Sequence, residues 1–79
     1  MAFKIEVIVQ GHLRELYPQL GEREEVITDQ PVAVREVIGW LGIKSETVLF
    51  VTIDGRIISK DDLLDKDSEL ILVSPPAGG

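Results

Sequence analysis

Glu69-Leu70-Ile71-Leu72-Val73-Ser74-Pro75-Pro76-Ala77-Gly78-Gly79 ends the sequence, and its reading decides the fold. Leu70 to Val73 is an unbroken apolar run. A strand that does not alternate suits a central place in a sheet, covered on both faces or close to it. Two prolines then end the strand, because neither can donate to a sheet ladder. They also stiffen the exit into an extended, polyproline-like stem. Ala77, Gly78 and Gly79 carry almost no side chain, and fully extended they reach about 10 Å beyond Pro76.

Upstream, residues 3–10 alternate in the strand manner. Phe3, Ile5, Val7 and Val9 share one face, and Lys4, Glu6, Ile8 and Gln10 the other. Residues 12–21 read as a wide loop with some helical character, limited by Pro18. Residues 24–28 form a second short strand with Val26 as its core residue. The period then changes. Val34, Val37, Ile38 and Leu41 lie at i, i+3, i+4 and i+7, one face of a helix. Asp29 and Pro31 are its start signals and Gly42 its stop. Residues 48–53 form a β-branched strand. Asp54-Gly55 joins it to Arg56-Ile57-Ile58-Ser59 as a hairpin. Residues 60–66 suggest a helical turn with Leu63 or Leu64 beneath it. The order is β-β-α-β-β-β, an α+β domain with one helix packed on a mixed sheet. Residues 1–74 are expected to form this domain and residues 75–79 a flexible C-terminal tail.

Composition narrows the function. The chain has 79 residues, room for one domain with a single modest core and no second lobe to close a cleft. It has no cysteine, hence no disulfide framework or thiolate metal site. That absence also suits a cytoplasmic protein. No stretch has the apolar length of a membrane span or of a signal-peptide core. With 14 acidic and 8 basic residues the net charge is −6, which disfavours nucleic acid and anionic membranes and favours a partner with a basic face.

The tail carries the chemistry. A carboxylate becomes an electrophile only when activated, typically as a mixed anhydride with AMP. To reach a nucleotide site in another protein it must pass down a narrow channel. Glycine threads where a Cβ would clash. A rigid stem with a slim tip suits such an arm, and the strand before it holds its base.

The strand order, Val34-Arg35-Glu36-Val37-Ile38 at the helix and Val51-Thr52-Ile53-Asp54-Gly55 at the turn resemble the MoaD/ThiS family. So do Leu70-Ile71-Leu72-Val73 and the ending Pro75-Pro76-Ala77-Gly78-Gly79. Gly11-His12-Leu13-Arg14-Glu15-Leu16 is similar to the loop after the first strand of the molybdopterin synthase small subunit. Relative to the usual molybdopterin-type ending, the prolines lie one place nearer the end and Ser74 stands where the first proline would be. The family comprises ubiquitin-like β-grasp sulfur carriers of molybdopterin and thiamine synthesis. The resemblance implies a carrier, not an enzyme alone, that is monomeric when free. Its Gly79 carboxylate would be adenylated by an E1-like enzyme of the MoeB/ThiF type using ATP and magnesium, then converted to a thiocarboxylate. Gly78 would give access, and Ala77, Pro76 and Pro75 would position the tip. The sulfur would pass to a synthase subunit of the MoaE or ThiG type, with molybdopterin favoured over thiamine by the Pro-Pro exit and the 11–16 stretch. No cofactor would be bound by the chain itself. A protein modifier joined to lysines through Gly79, and a β-grasp interaction module with an idle tail, are the competing readings.

Docking requires a surface. Ile8, Val48 and Phe50 fall on strand faces opposite the expected core and are candidates for an exposed apolar patch. Trp40 lies off the helix stripe, either packed under the 11–21 loop or anchoring an interface. His12 is the only histidine, so no metal site of the usual kind is expected. Asp61, Asp62, Asp65 and Asp67 lack the spacing of a calcium loop and read as a solvated acidic turn. Ser45 and Ser59 have no histidine near in sequence to activate them.

Overall fold

Alternation builds β1 (Phe3–Val9) as the sequence suggests. Ile5, Val7 and Val9 are fully buried, while Lys4, Glu6 and Ile8 face outward. The computed structural model describes residues 1–75. A short helix, α1 (His12–Leu16), drops Leu13 into the core and leaves Leu16 exposed. The strands β2 (Arg23–Thr28) and β3 (Val32–Ala33) precede the main helix α2 (Val34–Trp40). A 3-10 turn (Ser45–Thr47) leads to β4 (Phe50–Ile53), β5 (Arg56–Ile58), β6 (Leu63–Leu64) and β7 (Ser68–Val73).

The main sheet has the order β2-β1-β7-β4-β5, and β3 pairs with β6 in a small second sheet. β1 and β7 run parallel, and the other pairs are antiparallel. The last strand is thus central, with β1 on one side and β4 on the other. Leu70 and Leu72 face the helix and are fully buried. The core between sheet and α2 holds Ile5, Val7, Val9, Val51, Leu70 and Leu72 from the sheet, with Val34, Val37 and Ile38 from the helix. Burying each of these side chains contributes roughly 1.5–3 kcal/mol of transfer free energy.

Local chemistry fixes the connections. Asp54 and Gly55 adopt positive φ (51° and 79°) and close the β4–β5 hairpin in two residues, the geometry that matches the twist of paired strands. Helix α2 ends in a Schellman motif. Gly42 (φ 78°) donates to the Gly39 carbonyl, Ile43 donates to the Ile38 carbonyl, and both isoleucines are buried.

Three local expectations are corrected. Helix α2 begins at Val34, not near Asp29 or Pro31, because Val32 and Ala33 are held in the β3–β6 ladder. Its first N–H groups are satisfied across space: Val34 donates to the Asp62 carbonyl and Arg35 to the Lys60 carbonyl. Residues 60–66 supply that cap and strand β6 in place of a helical turn, with Leu64 buried and Leu63 exposed. Trp40 does not pack under the 11–21 loop. It is 56% exposed, beside the 28–32 segment and Glu36. The 11–21 loop is closed instead by Tyr17, whose hydroxyl meets Thr47 Oγ1 at 3.1 Å and accepts the Lys44 N–H at 3.0 Å.

Candidate functional site

The expected reacting group lies at the end of the chain, so the site is the place from which the tail departs and the surface beside it. Pro76, Ala77, Gly78 and Gly79 lie outside the described residues. Pro75 is exposed, immediately beyond Ser74 and the end of β7. The base is firmly held: Val73 accepts a 2.7 Å hydrogen bond from the Leu49 N–H, and Leu72 pairs with Val51 on one side and Val9 on the other. A cleft of about 410 Å³ opens at this root, lined by Gln10, Gly11, His12 and Glu15 and by Leu72 to Pro75. Gly11 makes the turn into α1 at φ 57°, a conformation favouring glycine. His12 Nδ1 lies 3.1 Å from Glu15 Oε2. The 11–16 stretch singled out in the sequence therefore sits against the tail root.

A larger cleft, about 630 Å³, opens near Lys4, Asp67, Ser68 and Glu69, by the start of β7. Four residues of strand, Leu70–Val73, lie between it and Ser74 at the tail root, about 16 Å from Glu69 to Ser74. Among the described residues no group of three metal-ligating side chains occurs, and no helix is long and apolar enough to cross a membrane.

The sheet face turned away from α2 carries the candidate docking residues. The registers lay one row across all five strands: Arg23, Ile8, Ile71, Thr52 and Ile57. Val73 and Phe50 form the neighbouring pair on the tail side. Ile8, Phe50, Ile71 and Val73 are half-buried, Ile57 is 69% exposed and Leu49, beside Val73, is 58% exposed. The expectation for Ile8 and Phe50 agrees with this placement. That for Val48 does not: Val48 is 1% exposed and belongs to the core. β4 starts at Phe50, and the preceding 3-10 turn breaks the two-residue period, so Val48 turns inward. Ile57, Ile71 and Val73 were not singled out in the sequence. Ile71 and Val73 alternate with buried Leu70 and Leu72, but a continuous apolar run hides which parity faces out.

Charged side chains border the patch. Glu6 is bound by Arg23, which also reaches Glu69 at 3.1 Å, and Lys4 Nζ lies 3.3 Å from Glu6. The Arg23 guanidinium first, then Lys4, holds the Glu6 carboxyl below its usual value of 4.5. Because the folded value is the lower one, Glu6's contribution to stability is complete above pH 4.5 and fades as pH falls through the folded value. In thermal melts the wild type is therefore expected to exceed Glu6→Gln at pH 7, with the difference shrinking toward pH 3. A difference that persists at low pH contradicts this assignment.

Comparison with known proteins follows the same lines. The model described as the ThiS family matches residues 7–79. No curated protein sequence matches the chain. Among solved structures, SAMP1 from Haloferax volcanii is similar with a TM-score of 0.72 and 18% identity, over 96% of this chain and 99% of that one. A Pyrococcus furiosus protein described as molybdopterin converting factor, subunit 1, gives 0.69 and 19%, over 94% and 99%. The ubiquitin of Caldiarchaeum subterraneum gives 0.60 and 17%, over the whole of both chains. At these identities the solved structures show the fold alone, a ubiquitin-like β-grasp.

Proposed function

The chain belongs to the ThiS family, and from that premise we propose that it is a sulfur carrier whose C-terminal carboxylate, on Gly79, is the working group. An adenylating partner binds ATP and magnesium. A carboxylate oxygen attacks the α-phosphorus, pyrophosphate leaves, and an acyl-adenylate forms. With hydrosulfide as donor, sulfur attacks the carbonyl carbon, the C–O bond to phosphate breaks and AMP departs. The product is a thioacid that ionises to the thiocarboxylate. The chain contributes the electrophile and its delivery: Gly79 reacts, Gly78 keeps the tip slim, and Pro75, Pro76 and Ala77 aim it. The partner supplies the catalytic groups, so the carrier acts as a cosubstrate.

One observation carries the reading most directly. The strand that precedes the Gly-Gly ending is central in the sheet and held from both sides, which gives the proposed arm a rigid base. Sulfur delivery to a pterin precursor through a synthase subunit is the pathway we favour, supported by the 11–16 stretch at the tail root. A protein-modifier role would use the same activated glycine, and the fold likeness to a ubiquitin keeps it in view. Lysine-linked conjugates that survive a denaturing gel would favour that reading.

The outer apolar patch is the proposed docking surface for the activating partner. Phe50→Asp places a charge on its tail side without entering the core. It is expected to raise KM for the carrier in ATP–pyrophosphate exchange by about tenfold or more, a loss of the size of one good interface contact, and to leave kcat close to wild type. An unchanged KM would move the docking surface elsewhere.

A further inference from the structure

Trp40 is the aromatic side chain that the domain leaves largely in water. It is 56% exposed, whereas Phe3, Tyr17 and Phe50 are half-buried. Val34, Val37 and Ile38 make the helix–sheet contact, so the core gives no reason for an indole here. Trp40 instead forms one wall of a groove of about 220 Å³, with Asp29 and Pro31 from the β2–β3 connection and with Glu36. Glu36 stands one helical turn before Trp40 on the same face. Buried Val32, paired with Leu64, anchors the connection beside it. The groove holds two exposed carboxylates, Asp29 and Glu36, and no basic side chain. Neither carboxylate has an ion-pair partner among the described residues, and residues 76–79 include no basic residue.

We propose that this groove docks an arginine side chain from a basic segment of a partner protein. Three observations choose that occupant. The volume is below the roughly 300–1,000 Å³ of small-molecule sites and suits one long side chain. An exposed indole face attracts a cation through its quadrupole. The two carboxylates beside it are not neutralised from within the domain. A guanidinium meets all three conditions, because it is planar, stacks on an aromatic face and donates two parallel N–H groups to a carboxylate. The groove also lies at the far end of the sheet from the tail root. Thr28 pairs with Phe3 at the start of β1, while Val9, paired with Leu72, ends that strand beside the tail, about 20 Å away at six residues' rise. A partner held here leaves the tail free, so the inference stands apart from the sulfur-carrier reading.

Trp40 is the only tryptophan, so its indole N–H gives a single resonance. The isotope-labelled full chain is titrated with tetra-arginine peptide, and separately with tetralysine, in two-dimensional NMR. Tetra-arginine is expected to give saturable shifts centred on the Trp40 indole and the amides of residues 29–36, with tetralysine binding several-fold more weakly. Asp29→Asn with Glu36→Gln should weaken tetra-arginine binding about tenfold. Trp40→Ala, followed at the amides of residues 29–36, should weaken it about three- to fivefold and keep the wild-type melting temperature, since the side chain is exposed. Glu46→Gln with Asp65→Asn makes the same change in net charge at exposed positions outside the groove, and should bind as wild type does. Shifts spread over the acidic surface with no centre at Trp40 overturn the proposal. So does an equal loss in the two carboxylate pairs, which would mean attraction to net charge alone. Equal affinity for the two peptides overturns the assignment of arginine.

Discussion

Removing Gly78 and Gly79 is expected to abolish thiocarboxylate formation, at least a thousandfold, and to leave the thermal transition where it was. The shortened chain still ends in a carboxylate, now on Ala77. The arm has lost about 7 Å of reach, however. Attack on a phosphorus atom requires the reacting atoms to approach within about 3.5 Å, so this shortfall stops the reaction. A Cβ at the tip would also crowd the narrow channel that the proposed activation requires. Among the described residues the core ends with Leu72, and the last sheet register is that of Val73 with Phe50. Gly79→Ala keeps the length and should lower the rate less than the deletion does. A fall in melting temperature of more than a few degrees on deletion would show that the tail packs against the domain. Retained biological activity would favour the interaction-module reading.

Leu72→Ala is expected to be the most damaging single change to the fold. Leu72 is fully buried in the central strand, opposite Val9 and Val51, both also fully buried. Truncation removes transfer energy and leaves a cavity, about 2–5 kcal/mol together. A domain of this size has a total stability of roughly 4–12 kcal/mol. The melting temperature should therefore fall by at least about 10 °C, read by circular dichroism. The next residue gives the opposite result. Val73 faces outward and is half-buried, so Val73→Ala should cost little stability and instead raise KM for the activating partner. Similar melting temperatures for the two variants would contradict the assignment of faces along β7.

The two faces of that strand mark where sequence reading succeeds and where it stops. Where apolar residues alternate, as from Phe3 to Val9, the pattern names both the strand and its buried side. The Asp54-Gly55 hairpin, the helix stripe and the stop at Gly42 are legible because each is local chemistry: a left-handed turn, a 3.6-residue period, a Schellman cap. From Leu70 to Val73 the continuous run gives the central position but not the parity. The errors arise where a distant segment decides. Helix α2 starts late because β6 pairs with the residues before it, and the carbonyls of Lys60 and Asp62 do the capping. Val48 turns inward because a 3-10 turn resets the period. The ion pairs of Arg23 with Glu6 and Glu69 are invisible in the sequence, since these residues become neighbours only through register. For the candidate site, the sequence points to the tail and to the outer-face positions of Ile8 and Phe50, whereas the outward positions of Ile57, Ile71 and Val73 needed the fold.

The central claim is that Gly79 carries sulfur, and the intact mass of the purified chain tests it most directly. The protein is incubated with ATP, magnesium, a sulfide source and the organism's E1-like adenylating enzyme. The account predicts a mass gain equal to exchange of one oxygen for sulfur, absent when ATP is omitted and absent from the chain lacking Gly79. An unchanged mass, with the enzyme shown to be active on a carrier of its own, would contradict it.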